Sequence, residues 1–464
     1  MTSKITFHGG AGTVTGANFL LETHSTNSGQ VDGKKILVDC GALEREHHPG
    51  DVCDTTNALP FPYDPASIDV LVVTHAHADH IGRIPKLVRD GFRGIIISTP
   101  ATRDLALIMF ADALNIMSLN QDLHQCDPLY AQEDIDAAIP LWQVHEYHEG
   151  FSVGDTRVEF LDAGHILGSA LVKFTRAGRT LMFTGDLGNT PEPLLNATES
   201  PVGANYIVME SVYGDRVHEG REGRKERLRR AIEDARDRGG VLLIPSFSIE
   251  RTQILLFEIN QMVEHEGLQT PPIYLDAPLA NKVTQVFRKY NAILNPDARK
   301  HFTEGDDPFT FKGLSIVAHT GESRALHTKP DPKVIIAGAG MSVGGRIRAH
   351  EKAYLGDEKT TVLFVGYQAP GSLGRRVFDG EKKIRIDDEW IHVRATIDML
   401  TGYSGHADRD QLLDFIEAAG ESLEKVFITM GEPKSSLFLA QRAKDFLGVN
   451  AIVPEKSQTI EIDF

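Results

Sequence analysis

The rhythm of apolar positions changes near residue 205. Before it, short apolar runs predict strands over 4–8, 16–22 and 35–39, separated by glycine-rich turns. Leu71-Val-Val73 and Gly94-Ile-Ile-Ile97 predict two more, and further strands are predicted near 156–161, 169–175 and 180–184. Helical spacing predicts helices over 81–90, 101–118 and 128–139. The methionines of 101–118 fall on its apolar face and read as core. After residue 205, strands alternate with helices. Tyr206-Ile-Val-Met209 is followed by a charged helix over 222–238, Val241-Leu-Leu-Ile244 by one over 249–265, and Ile273-Tyr-Leu275 by one over 278–290. Val334-Ile-Ile-Ala337, a helix near 343–354 and Val362-Leu-Phe-Val365 complete the series. Such alternation predicts a parallel, Rossmann-like sheet flanked by helices. The stretch 292–333 is long, charged and Pro-containing. It reads as a surface connection or as one containing a short strand near 313–317. Strands return at 389–392 and 396–400, followed by a helix at 409–419, a strand at 425–430, a helix at 434–447 and short final strands. The simplest architecture is α/β, with a first domain built from 1–204 and 396–464 and a second domain, 205–395, inserted into it.

The densest chemistry sits where the strand Leu71-Val-Val73 runs into a loop, Thr74-His75-Ala-His77-Ala-Asp79-His80. Three imidazoles and a carboxylate within six residues suit a borderline cation such as zinc. Alternate residues of an extended segment share a face, so His75, His77 and Asp79 point together, while His80 turns to a second position. One loop can therefore serve two metal ions. The spacing excludes a helical H-E-x-x-H site. The glycine-dense His8-Gly-Gly-Ala-Gly-Thr-Val-Thr-Gly16 lacks the G-K-[ST] ending of a phosphate loop and reads as a hairpin turn near a site. No complete G-x-G-x-x-G opens the inserted sheet, so no nucleotide cofactor is indicated.

Composition narrows the class. The chain has 464 residues, 41% hydrophobic and 24% charged, as expected of a two-domain globular enzyme. Its net charge of −17 excludes a general basic coat for nucleic acid, so a polyanion must be held by a local basic patch or by metal. Cys40, Cys53 and Cys126 form no C-x-x-C pair. A disulfide framework is not expected, and a reducing, cytoplasmic setting fits. No signal peptide and no membrane-length apolar run is visible.

The segment His75-Ala-His-Ala-Asp-His80-Ile-Gly-Arg-Ile-Pro85 resembles the signature of metallo-β-lactamase-fold hydrolases. Further motifs resemble the β-CASP branch of that fold. They are Glu210-Ser-Val-Tyr-Gly214, Gly338-Ala-Gly-Met-Ser-Val-Gly-Gly-Arg346-Ile-Arg-Ala-His350 and Ser404-Gly-His406-Ala-Asp408. Pro245-Ser-Phe-Ser-Ile-Glu-Arg251, Tyr274-Leu-Asp-Ala-Pro-Leu-Ala280 and Gly366-Tyr-Gln-Ala-Pro-Gly-Ser-Leu-Gly-Arg375 add to the likeness. Val212 and Ser342 depart from the expected Thr and Cys. The nearest likeness is to stand-alone prokaryotic relatives of the pre-mRNA 3′-end cleavage nuclease, and the histidine of the third motif favours the RNA-processing branch.

The resemblance implies a metallo-β-lactamase αββα sandwich with an inserted β-CASP domain. It implies two Zn2+ per chain, manganese being compatible with the same donors. His75, His77, His165 and Asp186 would hold one metal; Asp79, His80, Asp186 and His406 the other. Asp39 would support the site by hydrogen bonding. Asp79, His350 and Glu210 are the expected catalytic groups, with His350 protonating the leaving oxygen and Glu210 as its carboxylate partner. Arg346, Arg348, Arg375 and Ser404 are candidate RNA contacts, and Arg376 can donate similarly. The basic run Arg221–Arg230 reads as a solvated helix face. The expected function is a dinuclear zinc ribonuclease, most readily an endonuclease. A 5′→3′ exoribonuclease of RNase J type and a small-molecule ester or lactam hydrolase are the alternatives. RNA is the expected partner, no membrane is involved, and a homodimer is compatible.

Overall fold

The computed structural model describes residues 2–24, 33–43, 53, 55–218, 223–369 and 371–464. Arg221 and Pro370, named among the sequence motifs, lie outside the described residues. The chain divides into two compact units. One comprises Met1–Pro191, Asn196–Val217 and His406–Phe464; the other comprises Glu192–Leu195 and His218–Gly405.

The first unit is a sandwich of two sheets, each of seven described strands. One sheet runs, in spatial order, Thr459–Asp463, Thr2–Gly9, Asn18–Glu22, Lys35–Val38, Val70–Val72, Ile95–Ser98 and Trp142–Val144. The other runs Ala451–Ile452, Lys425–Ile428, Tyr206–Met209, Arg179–Phe183, Ala170–Arg176, Thr156–Asp162 and Phe151–Val153. Strand alternation sorts the side chains into layers. Val158, Phe160, Leu181, Phe183, Val208 and Phe427 share one core with Ile5, Phe7, Ile36 and Val72 of the facing sheet. Leu161, Met182, Ile207, Met209, Val426 and Ile428 point the other way. There they form a second core with Leu412, Phe415 and Ile416 of the helix Arg409–Ala418 and with Leu439 of the helix Pro433–Leu447. The long helix Pro100–His124 packs against the outer strand of the first sheet, where Phe110 and Trp142 have ring centroids 6.4 Å apart. The layers are therefore αββα.

The second unit is a parallel sheet of six described strands, in the order Leu314–Ile316, Ile273–Asp276, Lys333–Ala337, Val241–Pro245, Thr361–Phe364 and Thr396–Met399. Its central strands are buried along their whole length, as a sheet covered on both faces requires.

Two expectations, the domain boundaries and the absence of a disulfide, need correcting, while the short strand expected near 313–317 is present. Tyr206–Met209 does not open the inserted domain, because it pairs in parallel with both Arg179–Phe183 and Lys425–Ile428. Thr396–Met399 belongs to the inserted sheet through its pairing with Thr361–Phe364. The boundaries 204/205 and 395/396 thus move to 217/218 and 405/406, apart from the short excursion Glu192–Leu195. The stretch 292–333 carries helices at Pro296–Thr303 and Thr320–Ala325 besides the strand Leu314–Ile316. Asn295 caps the first of these by accepting from the Ala298 amide, with Pro296 in the first turn, which is a legible start signal. Finally, Cys53 and Cys126 form a disulfide, while Cys40 is free and buried. The two cysteines are 73 residues apart in sequence, so no short spacing announces the pair.

Candidate metal centre

The polar groups of the first unit collect at strand ends. Asp39 follows Lys35–Val38, His75 and His77 follow Val70–Val72, and His165 follows Thr156–Asp162. Asp186 follows Arg179–Phe183, and Glu210 follows Tyr206–Met209. His77 caps the short helix Ala78–Ile81, which carries Asp79 and His80. His406 is brought in by a bridge to Gly188 and by the amide of Ala407 donating to the Leu187 carbonyl. Backbone passes tightly here: a Cβ at Gly41 would sit 1.5 Å from the Asp79 carbonyl oxygen, so this approach needs glycine.

His77 Nδ1 lies 3.2 Å from His75 Nε2 and 3.1 Å from His165 Nε2. Asp186 Oδ2 lies 3.4 Å from His75 Nε2 and 3.5 Å from His165 Nε2. Four donors at about 2.0–2.1 Å from a tetrahedral zinc are about 3.3–3.4 Å apart, so these atoms fit such an ion. The other carboxylate oxygen, Asp186 Oδ1, lies 3.3 Å from His80 Nε2. Both atoms are buried and lack a hydrogen-bond partner, which is the condition of atoms built to face a cation. Asp79, His80 and Asp186 form a second metal-capable group. Asp186, Glu210 and His406 form a third. Of the expected second-site ligands, Asp79, His80 and Asp186 meet in one group, while His406 falls in the group with Asp186 and Glu210.

The surroundings orient these rings. Asp39 has φ 59°, the left-handed region, a conformation a non-glycine residue keeps only when held. Its Oδ1 accepts from the Thr74 amide at 2.8 Å, and its Oδ2 from the Thr74 hydroxyl at 2.7 Å. The same Oδ2 lies 2.7 Å from His80 Nδ1, which leaves His80 Nε2 directed at Asp186. Glu210 Oε1 accepts from the Leu187 amide at 2.7 Å and lies 3.1 Å from His406 Nδ1. Burial, reinforced by neighbouring imidazoles, holds His77 and His165 well below the ordinary histidine range. They are neutral, the form that ligates metal. Burial opposes charge on His406, but Glu210, then Asp186 and Asp79, outweigh it and push its pKa up to about 9.

The remaining candidates belong to the second unit. His350 is fully buried on the helix Ile347–Tyr354. Its Nε2 lies 2.7 Å from Asp276 Oδ2, and its Nδ1 lies 3.0 Å from His327 Nε2. The carboxylate at His350 is therefore that of Asp276, and Glu210 serves His406. Arg346 donates to Asp276 at 2.5 Å and to the carbonyls of Val317 and Ala318. Arg348 pairs with Asp387, Arg375 with Asp379 and Arg376 with Glu381. Ser404 is half-buried after the turn Thr401–Tyr403. In the basic run, Arg224 is buried against Glu192 and Glu258, while Arg227, Arg229 and Arg230 pair with Asp398, Glu266 and Glu226.

Sequence reading assigned no role to Asp276 or His327. An aspartate ending a strand of a parallel sheet was a usable signal for the first. Nothing marked His327, in a stretch read as surface connection.

Fold and donor set together define a metallo-hydrolase. The metallo-β-lactamase superfamily model matches residues 25–246, and the Beta-Casp domain model matches 252–377. The Zn-dependent metallo-hydrolase RNA specificity domain matches 390–454. The chain is 35% identical over 438 residues to "Ribonuclease TTHA0252" of Thermus thermophilus, covering 94% of this chain and 95% of that protein. It is 32% identical over 453 residues to "Transcription termination factor FttA" of Pyrococcus horikoshii, covering 93% of this chain and 68% of that protein. The crystal structure of a protein of unknown function from Enterococcus faecalis V583 shares the fold, with TM-score 0.60 at 13% identity over 100% of both chains. The chain belongs to the β-CASP family of metallo-β-lactamase-fold ribonucleases, and it is a metal-dependent hydrolase.

Proposed function

We propose that this protein is a dinuclear zinc ribonuclease that cuts RNA phosphodiesters within the strand. The observation that carries the reading is Asp186. One oxygen faces His75 and His165, and the other faces His80, so a single carboxylate serves two cation positions. His75, His77, His165 and Asp186 would hold one ion; Asp79, His80, Asp186 and His406 the other. When bound, two such cations acidify water and neutralise phosphate charge. Glu210 orients His406, and Asp39 orients His80. Asp79 stands beside His80, its Oδ2 3.9 Å from Nε2, where a carboxylate can take the proton released by water. The RNA-specificity domain match and the names of the relatives support RNA as substrate. Among the candidate arginines, Arg375 is the best suited to phosphate, since its partner Asp379 is a half-exposed ion pair that contributes little to stability.

The test is incubation with 5′- and 3′-labelled linear RNA and with circular RNA, before and after chelation. Cutting of the circle, lost on chelation and restored by zinc or manganese, is expected. An uncut circle with mononucleotides released from the 5′ end would replace this reading with the exonuclease one.

A further inference from the structure

A separate set of metal-capable side chains lies wholly within the second unit. The helix Arg251–Asn260 runs on into a widened turn, Gln261–His265, of the rare i→i+5 kind that recurs at functional sites. Gln261 and His265 both reach His301, which sits on the helix Pro296–Thr303. The ring centroids of His265 and His301 are 5.8 Å apart, at an interplanar angle of 42°. Asp306 meets the same ring because the chain reverses after that helix. Gly305 has φ 80°, a left-handed conformation that glycine adopts without strain, and the Asp306 amide donates to the His301 carbonyl at 2.9 Å. Asp306 Oδ2 then lies 3.1 Å from His301 Nδ1. One nitrogen of each imidazole and one oxygen of Asp306 lie within 4.8 Å of one another. Among the described residues, this is the one such group in the second unit.

Three features favour an ion here over a chance meeting of polar side chains. The 3.1 Å between His301 Nδ1 and Asp306 Oδ2 is close to the about 3.3–3.4 Å that separates two donors around a tetrahedral zinc. The ring of His301 is also held in place. Phe257 meets it edge to face, with centroids 5.7 Å apart and an interplanar angle of 89°. The Gln261 amide lies 3.1 Å from its Nε2. A side-chain amide has a donor end and an acceptor end, so it can serve that nitrogen in either tautomer. Metal-ligating imidazoles ordinarily have such a partner on the nitrogen turned away from the metal. Finally, the His301 side chain is only 18% exposed, whereas Asp306 and His265 are exposed. One donor is anchored, and the other two are free to close onto an ion.

We infer that His265, His301 and Asp306 form an additional site for a divalent transition metal such as zinc. Two imidazole nitrogens and one carboxylate suit such an ion, whereas magnesium and calcium take oxygen donors. His301 binds through Nδ1, and water fills the positions that protein leaves open. Gln261 and His301 are 40 positions apart in the chain, so the ion staples two helix ends that are distant in sequence. With three protein donors and an open side, it exchanges with solvent. It leaves on desalting, while the buried donors of the first unit keep theirs. The inference does not depend on the ribonuclease reading.

The test is isothermal titration of zinc chloride into protein that has been loaded with zinc and desalted, so that the first unit is already filled. One further ion per chain should bind, and the melting temperature should rise with free zinc. In 15N NMR of labelled histidine, His265 and His301 should be the residues whose signals move. His265→Ala removes an exposed ring, so it should keep the melting temperature measured without added zinc yet abolish the binding event. Asp306→Ala should abolish it too. Gln261→Leu leaves all three donors and should weaken it about 10–100-fold. An excess of magnesium should not displace the zinc. No further uptake by the wild type, the same uptake by His265→Ala, or displacement by magnesium would each overturn the inference.

Discussion

Two clusters of histidine and aspartate invite comparison, because the same side chains are wired in different ways. In the first unit His75, His77 and His165 turn their nitrogens toward one another, and Asp186 adds an oxygen to the same point. Protons cannot satisfy such a convergence, since each can bridge only one pair of acceptors. A cation satisfies all four atoms at once. In the second unit Asp276, His350 and His327 stand in line, His350 Nε2 lying 2.7 Å from Asp276 Oδ2 and its Nδ1 3.0 Å from His327 Nε2. That line is complete with protons alone and has no need of metal. Residue type does not distinguish a ligand cage from a proton relay; the direction of the lone pairs does.

The strongest break in this comparison is His77→Ala. It removes the nitrogen that two other rings face, and it should abolish cleavage and reduce bound metal to about one ion per chain. Asp276→Asn, applied to the other cluster, should leave metal content untouched. Elemental analysis of the two proteins checks the contrast. Next in size is His350→Ala. It should keep both metals, since His350 is not among the donors that face the ion positions. Urea denaturation should also show a loss of about 1–3 kcal/mol, because Asp276 loses a buried donor.

Much of the first cluster was legible in the sequence. Three histidines and an aspartate within six residues after an apolar strand have few uses other than metal. His165, Asp186 and His406 were legible only through family resemblance, since each is a single residue in a turn. The relay was half legible. His350 ends a motif, but its partners come from a different strand, 74 positions away for Asp276, and from a stretch without apolar rhythm. The domain boundaries were misread for a similar reason. Tyr206-Ile-Val-Met209 has the form of any buried parallel strand, and only its pairing with Lys425–Ile428 assigns it. Local pattern specifies elements; which sheet takes an element is decided by contacts distant in sequence.

Smaller effects sharpen the comparison. Asp39→Ala removes the carboxylate that aims His80, and it should weaken metal affinity about 10–100-fold without emptying the site at saturating zinc. Isothermal titration with zinc would measure this. Arg375→Glu should weaken RNA binding uniformly across sequences and lower the slope of log affinity against log salt by about 1. An unchanged slope would move the RNA contact elsewhere on the surface.

The central claim is that Asp186 joins two cation positions. Elemental analysis of the wild type and of Asp186→Ala, each purified with zinc and freed of loosely bound ions, tests it directly. Two ions per chain in the wild type, with occupancy of both positions falling together in the variant, is the predicted result. Two ions at wild-type occupancy in Asp186→Ala would contradict it.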